Sequence, residues 1–339
     1  MSARASIIIP NWNGERFLNT CLGSLRRQSL DNFEILLVDN GSTDGSVSFV
    51  ERSFPEVRVI SLEENRGFSA AVNAGIRSAN TEYVALLNND TQAEPGWLEA
   101  LWQAAERHPE ASLFASRLVD FQDQRVLDGA GDALRRSGLP YRLGHRELDR
   151  GQFDREAFVF GACAAAALYR RSLFEEIGLF DEDFFAYCED GDVSFRAQLA
   201  GHRCLYAPEA VVYHVGSAST GGKRSPTATR LGTQNGVNLL VKNLPTSLAW
   251  RLLPSLLAGQ LSRILVTSLS PGGLRAHLSG LIGAWRLLPR MLEKRKAIQS
   301  RKQVSDAYVR DLLRESSRSA VESRRRRIRD QVLLRLAIR

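Results

Sequence analysis

Residues 5–40 read "ASIIIPNWNGERFLNTCLGSLRRQSLDNFEILLVDN", and the succession of periods within them decides the fold class. "ASIIIP" and "FEILLVD" are short, rich in Ile, Val and Leu, and apolar on both faces, the pattern of parallel strands covered by helices on each side. Between them "ERFLNTCLGSLRRQ" puts Phe17, Leu18, Cys21, Leu22 and Leu25 on one stripe, as a helix packed on a sheet requires. Strand, helix and strand at this spacing make a right-handed βαβ unit. The alternation continues outward: "VRVISL" and "YVALL" read as further strands, "GFSAAVNAGIRSA" and "GWLEALWQAAERH" as further helices. The expected architecture is a doubly wound α/β domain whose mostly parallel sheet is flanked by helices.

Each expected strand ends in polar residues. The first leads to Pro10, Asn11 and Asn13, the second to Asp39, Asn40 and Ser42, the third to Asn65, Arg66 and Gly67, and the fourth to Asn88, Asn89 and Asp90. Turn and cap chemistry accounts for any one of these sets. Four in succession supply more side-chain acceptors than turns need, and in an open parallel sheet all four emerge on the edge where ligands bind.

Several ligand classes are excluded. The first strand-to-helix turn, "PNWNGERF", has no G-x-G-x-x-G, and "GAGDAL" from Gly129 comes too late and lacks the third glycine. "SASTGGKR" has Ser217 where a P-loop needs its leading glycine and Arg224 where it needs Ser or Thr. Cys21, Cys163, Cys188 and Cys204 form no C-x-x-C pair, so reduced, mostly buried thiols are expected. The start, "MSARASIIIPNWNG", lacks the apolar core of a signal peptide, which points to the cytoplasmic side. With 44% hydrophobic and 24% charged residues the chain is composed like a globular enzyme, and its net charge of +7 favours an anionic partner. What remains is a rim of amides and carboxylates. Asp39 suits a base N–H or a ribose hydroxyl, and Asp90 suits a hard divalent cation whose shell substrate phosphates complete.

"SIIIPNWNGERFLNTCLGSLRRQ", "EILLVDNGSTDGS", "NRGFSAAVNAGI", "LLNNDT", "GLFDEDFFAYCEDGDVSFRAQLAGHRCLYAPEAVVYH" and "QNGVNLLVKNLP" resemble, in order, blocks of glycosyltransferase family 2 with its Rossmann-like GT-A fold. The rhamnosyltransferase-like bacterial branch, which decorates cell-surface polysaccharides, is the most similar. The resemblance implies that Pro10, Asn11, Asn13, Asp39, Asn40, Asn65, Gly67 and Asn73 lie in nucleotide-contacting stretches, joined by Asn88 and Asn89. Asp90 ends the stretch corresponding to the family's D-x-D metal motif, here "NND", and His214 falls where a histidine binds metal or diphosphate. Mn2+ or Mg2+ is the implied cofactor.

"YCEDGDVSFRAQLAG" starts a helix with Glu189, Asp190 and Asp192 and sets Asp192 and Arg196 four apart to pair. Acidic residues complement a helix N-terminus. The same placement keeps a carboxylate ready to accept a proton. Asp190 is therefore the candidate general base, with Glu189 beside it, and the mechanism resembles inverting glycosyl transfer. Lys223 and Arg224, in the Gly/Ser loop after His214, are candidates for touching phosphate. Asp181, Glu182 and Asp183 are expected to shape the acceptor side.

The expected catalytic domain spans 1–244, with a nucleotide-binding half (1–110) and an acceptor and catalytic half (111–244); 245–339 is a helical region. In that region "SLAWRLLPSLLAGQLSRILVTSL" is interrupted by Pro254, Gln260 and Arg263, so it fits an amphipathic helix better than a membrane span. Together with "EKRKAIQSRKQ" and "SRRRRIRD" it predicts peripheral contact with the inner face of the membrane, an oligomer contact being the other use open to it. No nucleic-acid motif is present. Three function classes follow. The first is a glycosyltransferase using dTDP-rhamnose or a UDP-sugar on a glycan or lipid-linked acceptor. The others are a sugar-phosphate nucleotidyltransferase, which would need a basic Gly-rich loop after the first strand, and a non-catalytic nucleotide-sugar binder.

Overall fold

The computed structural model describes residues 3–216 and 225–337, with side chains as far as residue 331. Its first half is built from β1 (Ala5–Asn11), α1 (Glu15–Leu25), β2 (Phe33–Asn40), α2 (Ser46–Ser53), β3 (Arg58–Leu62), α3 (Phe68–Ser78), β4 (Tyr83–Leu87), β5 (Thr91–Ala93) and α4 (Trp97–Arg107). Then come β6 (Ala111–Asp120), β7 (Leu127–Ala130), β8 (Asp132–Leu134), β9 (Pro140–Arg142), β10 (Ala157–Val159), β11 (Ala166–Arg170), α5 (Arg171–Ile177), α6 (Glu189–Leu199) and β12 (Arg203–His214). Four helices follow: α7 (Pro226–Asn243), α8 (Thr246–Ser268), α9 (Gly273–Ser300) and α10 (Asp306–Ala337).

The main sheet runs β10-β12-β6-β11-β4-β1-β2-β3. Strands β4, β1, β2 and β3 are parallel, while β11 enters antiparallel between β4 and β6. Side chains of the central strands alternate between two buried layers. Ile7, Ile9 and Leu37 pack with α1 and α4 on one face, and Ile8, Leu36 and Val38 with α3 on the other. That double burial is why these strands carry unbroken apolar runs. "VRVISL" departs from the expectation of a central strand: β3 is the sheet edge, with Arg58 and Ser61 exposed.

The parallel register aligns Asn11 with Asp39, so the first two polar strand ends are neighbours by construction. Helix α6 is fixed from below. Asp192, fully buried, accepts from Arg196 Nε at 2.9 Å, as its spacing predicted, from Lys242 Nζ at 2.8 Å and from Asn243 Nδ2 at 2.8 Å. Lys242 also donates to Asp181 at 2.6 Å. Replacing Lys242 with methionine takes one of two cations from each of two buried carboxylates, leaving Arg196 on Asp192 and Lys294 on Asp181, and is expected to cost about 3 kcal/mol, measured by urea unfolding at neutral pH.

The acidic trio expected on the acceptor side makes ion pairs within the fold. Asp181 binds Lys242 and Lys294, Asp183 binds Arg290 and Lys294, and Glu182 binds Asn73, Arg66 and Arg77. The three carboxylates are occupied in fastening α3, α7 and α9 to the segment before α6. Helix α8 runs through Pro254 without a break. Among the described residues no helix is long and apolar enough to cross a membrane. Along α10, Ser316, Ser323 and Asp330 recur every seven residues on one face. They accept from the backbone N–H groups of Leu134, Gly144 and Leu148, which props the β8–β9 hairpin from behind.

Candidate active site

Asn11 is the hub of the rim formed by the parallel strands. Its Nδ2 donates to Asp39 Oδ1 (3.1 Å) and Ser42 Oγ (3.3 Å), and its Oδ1 accepts from Asn89 Nδ2 (2.7 Å). A carboxamide, with two N–H donors and a carbonyl acceptor, can make all three bonds at once. Gly14 makes the contact possible, since a Cβ there would lie 2.1 Å from Asn89 Nδ2. Asp39 is buried and has one bond at each oxygen, to Asn11 and to the Ser42 N–H, leaving lone pairs for a ligand. Asn13 adopts φ 50, the left-handed region that Asn tolerates, and its Oδ1 accepts from the N–H groups of Thr43 and Asp44. Pro10 precedes this cluster, half-buried at the end of β1.

Asn40 ties the third loop, donating to Asn65 Oδ1 and Gly67 O and accepting from Arg66 N. Gly67 has φ 88, and a Cβ there would meet Phe185 O at 2.5 Å, so both its conformation and the close approach of the Phe185 segment need glycine. Asn73 is committed elsewhere, with both ends of its amide on the Phe180 backbone. Asn88 stands half-buried on the rim; its carbonyl accepts from Thr91 Oγ1 at 2.6 Å.

From Asp90 a line of neighbouring side chains leads to Asp190. His214 Nε2 faces Asp90 Oδ1 at 3.4 Å and makes no well-formed hydrogen bond although the residue is 5% exposed. On the other side its Nδ1 pairs with Asp128 Oδ2 at 2.8 Å, which fixes the ring with Nε2 toward Asp90. Burial alone would lower the imidazole pKa, but Asp128 and Asp90 outweigh it and raise it. Burial likewise opposes charge on Asp128, yet Arg142, His145 and His214 hold its carboxyl well below the usual range.

Arg142 Nη1 binds Asp128 at 2.7 Å, its Nη2 donates to Cys163 Sγ at 2.8 Å, and its Nε lies 3.8 Å from Asp132. Its aliphatic stem lies over Gly129, where a Cβ would sit 2.6 Å from Arg142 Cδ. Asp132, Cys163 and Asp190 place one donor atom each within 4.8 Å of one another. That set does not suit a hard cation: burial pushes the Cys163 thiol up, sulfur is a soft ligand, and the arginine already supplies positive charge.

Asp190, half-buried at the start of α6, accepts from Gly191 N at 2.7 Å and faces Ala164 N at 3.5 Å. Tyr187 and Cys188 just before it have φ 74 and 67, a strained pair held by Asn235 of α7, whose Nδ2 donates to the carbonyls of Ala186 and Tyr187 at 2.9 Å. Burial and Asp190 raise the Glu189 carboxyl well above its ordinary value, and its Oε2 has no hydrogen-bond partner. Burial and Asp190 also push Asp132 up to about 7, against the pull of Arg142. Asp190 thus sits beside two carboxyl groups that burial and its own charge make harder to ionise. Because Asp132 holds a proton in the folded chain that it loses near pH 4 when unfolded, its contribution to stability falls as pH rises from about 4 to 7. Asp132→Asn should therefore gain stability over wild type at pH 8 relative to pH 4, read by urea unfolding at both.

Sequence reasoning missed Asp128, Asp132, Arg142 and Asn235. Lys223 and Arg224 lie outside the described residues.

Rim, sheet order and helices define a GT-A fold. Residues 6–178 match Glycosyl transferase family 2. The chain is 32% identical over 232 residues to N-acetylglucosaminyl-diphospho-decaprenol L-rhamnosyltransferase of Mycobacterium tuberculosis, covering 61% of this chain and 73% of that protein. The crystal structure of S. aureus TarS 1-349 superposes with a TM-score of 0.56 at 19% identity, covering 95% of this chain and 92% of that one. That of GalNAc-T7 with UDP, GalNAc and Mn2+ does so with a TM-score of 0.58 at 16% identity, covering 71% of this chain and 48% of that one. The chain belongs to glycosyl transferase family 2 and is a rhamnosyltransferase-like glycosyltransferase.

Proposed function

We propose that this enzyme transfers rhamnose or a hexose, with inversion, from a nucleoside-diphosphate sugar to a hydroxyl of a glycan or lipid-linked acceptor in cell-surface polysaccharide synthesis. The reading is supported by the line of neighbouring side chains Asp90–His214–Asp128–Arg142–Asp132–Asp190, which runs from the residues suited to a cation to the residue suited to a base. Asp39 takes the base or ribose, with Asn11, Asn13 and Asn89 holding it in place and Pro10 shaping the turn. Asn40 sets the loop of Asn65 and Gly67 against the donor, and Asn73 positions the Phe180 segment. Asn88 contributes at the rim.

Asp190 accepts the acceptor hydroxyl's proton as that oxygen attacks the anomeric carbon opposite the leaving diphosphate. Burial and Asp190 itself raise the carboxyl pKa of Glu189 and Asp132 beside it, which lessens competing negative charge. Asp90 and His214 fit a divalent ion, Mn2+ or Mg2+, because a ring nitrogen that has no hydrogen-bond partner, and is a ligand when neutral, faces a carboxylate oxygen at 3.4 Å. When bound, such an ion would oppose negative charge on the departing diphosphate.

The M. tuberculosis relative's name states a rhamnosyl group and a diphospho-decaprenol acceptor, which supports dTDP-rhamnose and a lipid-linked acceptor here, met at the inner membrane face through the C-terminal helices. Thermal-shift screening of nucleotide sugars with and without Mn2+ tests the reading. Selective, Mn2+-dependent stabilisation by dTDP-rhamnose is expected, and a UDP-sugar winning instead would reassign the donor. Stabilisation by a nucleotide sugar without turnover of any acceptor preparation would leave a binder rather than an enzyme.

A further inference from the structure

The outer face of helices α8 and α9 takes no part in the site or in the core. On α8, Trp250, Leu253, Leu257, Leu261 and Leu265 follow one another at three- or four-residue steps, and all are exposed, Trp250 by 73%. On α9, Leu274, Leu278, Ile282 and Trp285 do the same, with Trp285 exposed by 74%. Leu269, at the turn between the helices, is the most open at 85%. Two apolar stripes on consecutive helices, with an apolar residue at the turn between them, exceed what a soluble surface ordinarily leaves bare.

Charge identifies the occupant. From Thr246 to Leu292 there is no Asp or Glu, while Arg251, Arg275 and Arg286 stand exposed among the leucines. A groove of about 770 Å³ between α7 and α9 repeats the combination, lined by Leu274, Leu278 and Ile282 together with Arg230, Arg275 and Arg286. Apolar floor and arginine rim match a lipid chain and its anionic headgroup. Exposed tryptophans suit the boundary where headgroups meet acyl chains. Neither helix is long and apolar enough to cross a membrane, and the exposed stripes suit a helix lying in the plane of that boundary.

We infer that the outer face of the α8–α9 hairpin is an in-plane anchor for an anionic phospholipid bilayer. This deepens the peripheral contact proposed above and names its residues and lipid charge. The anchor bears directly on the site. Arg263, on the inner side of α8, lies against Gly232 and Gly236 of α7, the helix whose Asn235 holds the Tyr187–Cys188 turn before Asp190. A membrane bound to the outside of α8 therefore lies one helix away from the turn that presents the base.

Full-length protein is sedimented with large vesicles of phosphatidylethanolamine and phosphatidylglycerol, and with phosphatidylcholine alone. Binding to the anionic vesicles, with a blue shift of tryptophan emission that Trp250→Phe/Trp285→Phe removes, is expected. Leu261→Glu/Leu265→Glu should lose binding by at least about tenfold per leucine. Arg275→Gln/Arg286→Gln should lose about fivefold per arginine, and only on anionic vesicles. Circular dichroism and the nucleotide-sugar thermal shift are recorded on every variant. Lost vesicle binding with an intact donor shift in the leucine variant supports the anchor, and vesicle binding by a chain with no donor shift would leave the anchor standing while the transfer reading falls. Equal sedimentation of wild type and the leucine variant overturns the anchor. So does a wild-type dimer in light scattering that the leucine variant dissociates, with no vesicle binding, because the face would then be covered by a second copy.

Discussion

Asp190→Asn is expected to lower kcat by about 10²–10⁴-fold, the range spanned by loss of a positioned general base, with donor affinity nearly unchanged. Asparagine keeps the size of the side chain and an oxygen for the Gly191 N–H, so the start of α6 retains its local bond. It removes the one property the step needs, an anionic oxygen that can take a proton. The donor rim, built around Asn11, Asp39 and Asn40, makes none of its hydrogen bonds to Asp190. Asp192→Asn provides the contrast, because that carboxylate is fully buried on Lys242, Arg196 and Asn243 and its loss should appear in unfolding free energy. Initial rates with saturating donor, together with nucleotide-induced thermal shifts, separate the two. An Asp190→Asn enzyme running near the wild-type rate would remove the residue from the base role.

The parallel half of the fold was legible because burial on both sides writes an unbroken apolar run, which ends where the strand reaches the rim. Ile7 to Ile9 and Leu36 to Val38 carry that signature directly. Strand β3 was misplaced because an edge strand of five residues can look as apolar as a central one when only its neighbours reveal the difference. The stretch from Leu127 to Arg142 stayed unread for another reason. Strands β7, β8 and β9 have three or four residues each, too few for a period to appear. "GAGD" drew attention only as a failed dinucleotide fingerprint. Its Gly129 is there so that the Arg142 stem can lie over the backbone, bringing the guanidinium between Asp128 and Asp132. Asn235, Lys242 and Asn243 were visible only as a block of resemblance. Their physical work, holding the turn before α6 and its buried Asp192, depends on partners some fifty residues away that no local pattern encodes.

The second large effect concerns Asp90 and His214. Wild-type protein with Mn2+ at about 100 times its dissociation constant should gain about 2.7 kcal/mol, several degrees in melting temperature for a chain of this size. Asp90→Asn and His214→Ala should each abolish that gain and depress transfer together with it, and chelation should do the same to the wild type. Asp128 allows a finer test. It touches neither Asp90 nor the proposed ion, and acts by pairing with His214 Nδ1 so that Nε2 faces Asp90. Asp128→Asn should therefore leave binding measurable but weakened by about 10–100-fold, as for other carboxylates that orient a metal-binding histidine. A uniform loss in all three variants would indicate collapse of the β7–β12 contact. A graded loss, complete at Asp90 and His214 and partial at Asp128, is what this geometry demands, because only the first two present atoms to the ion.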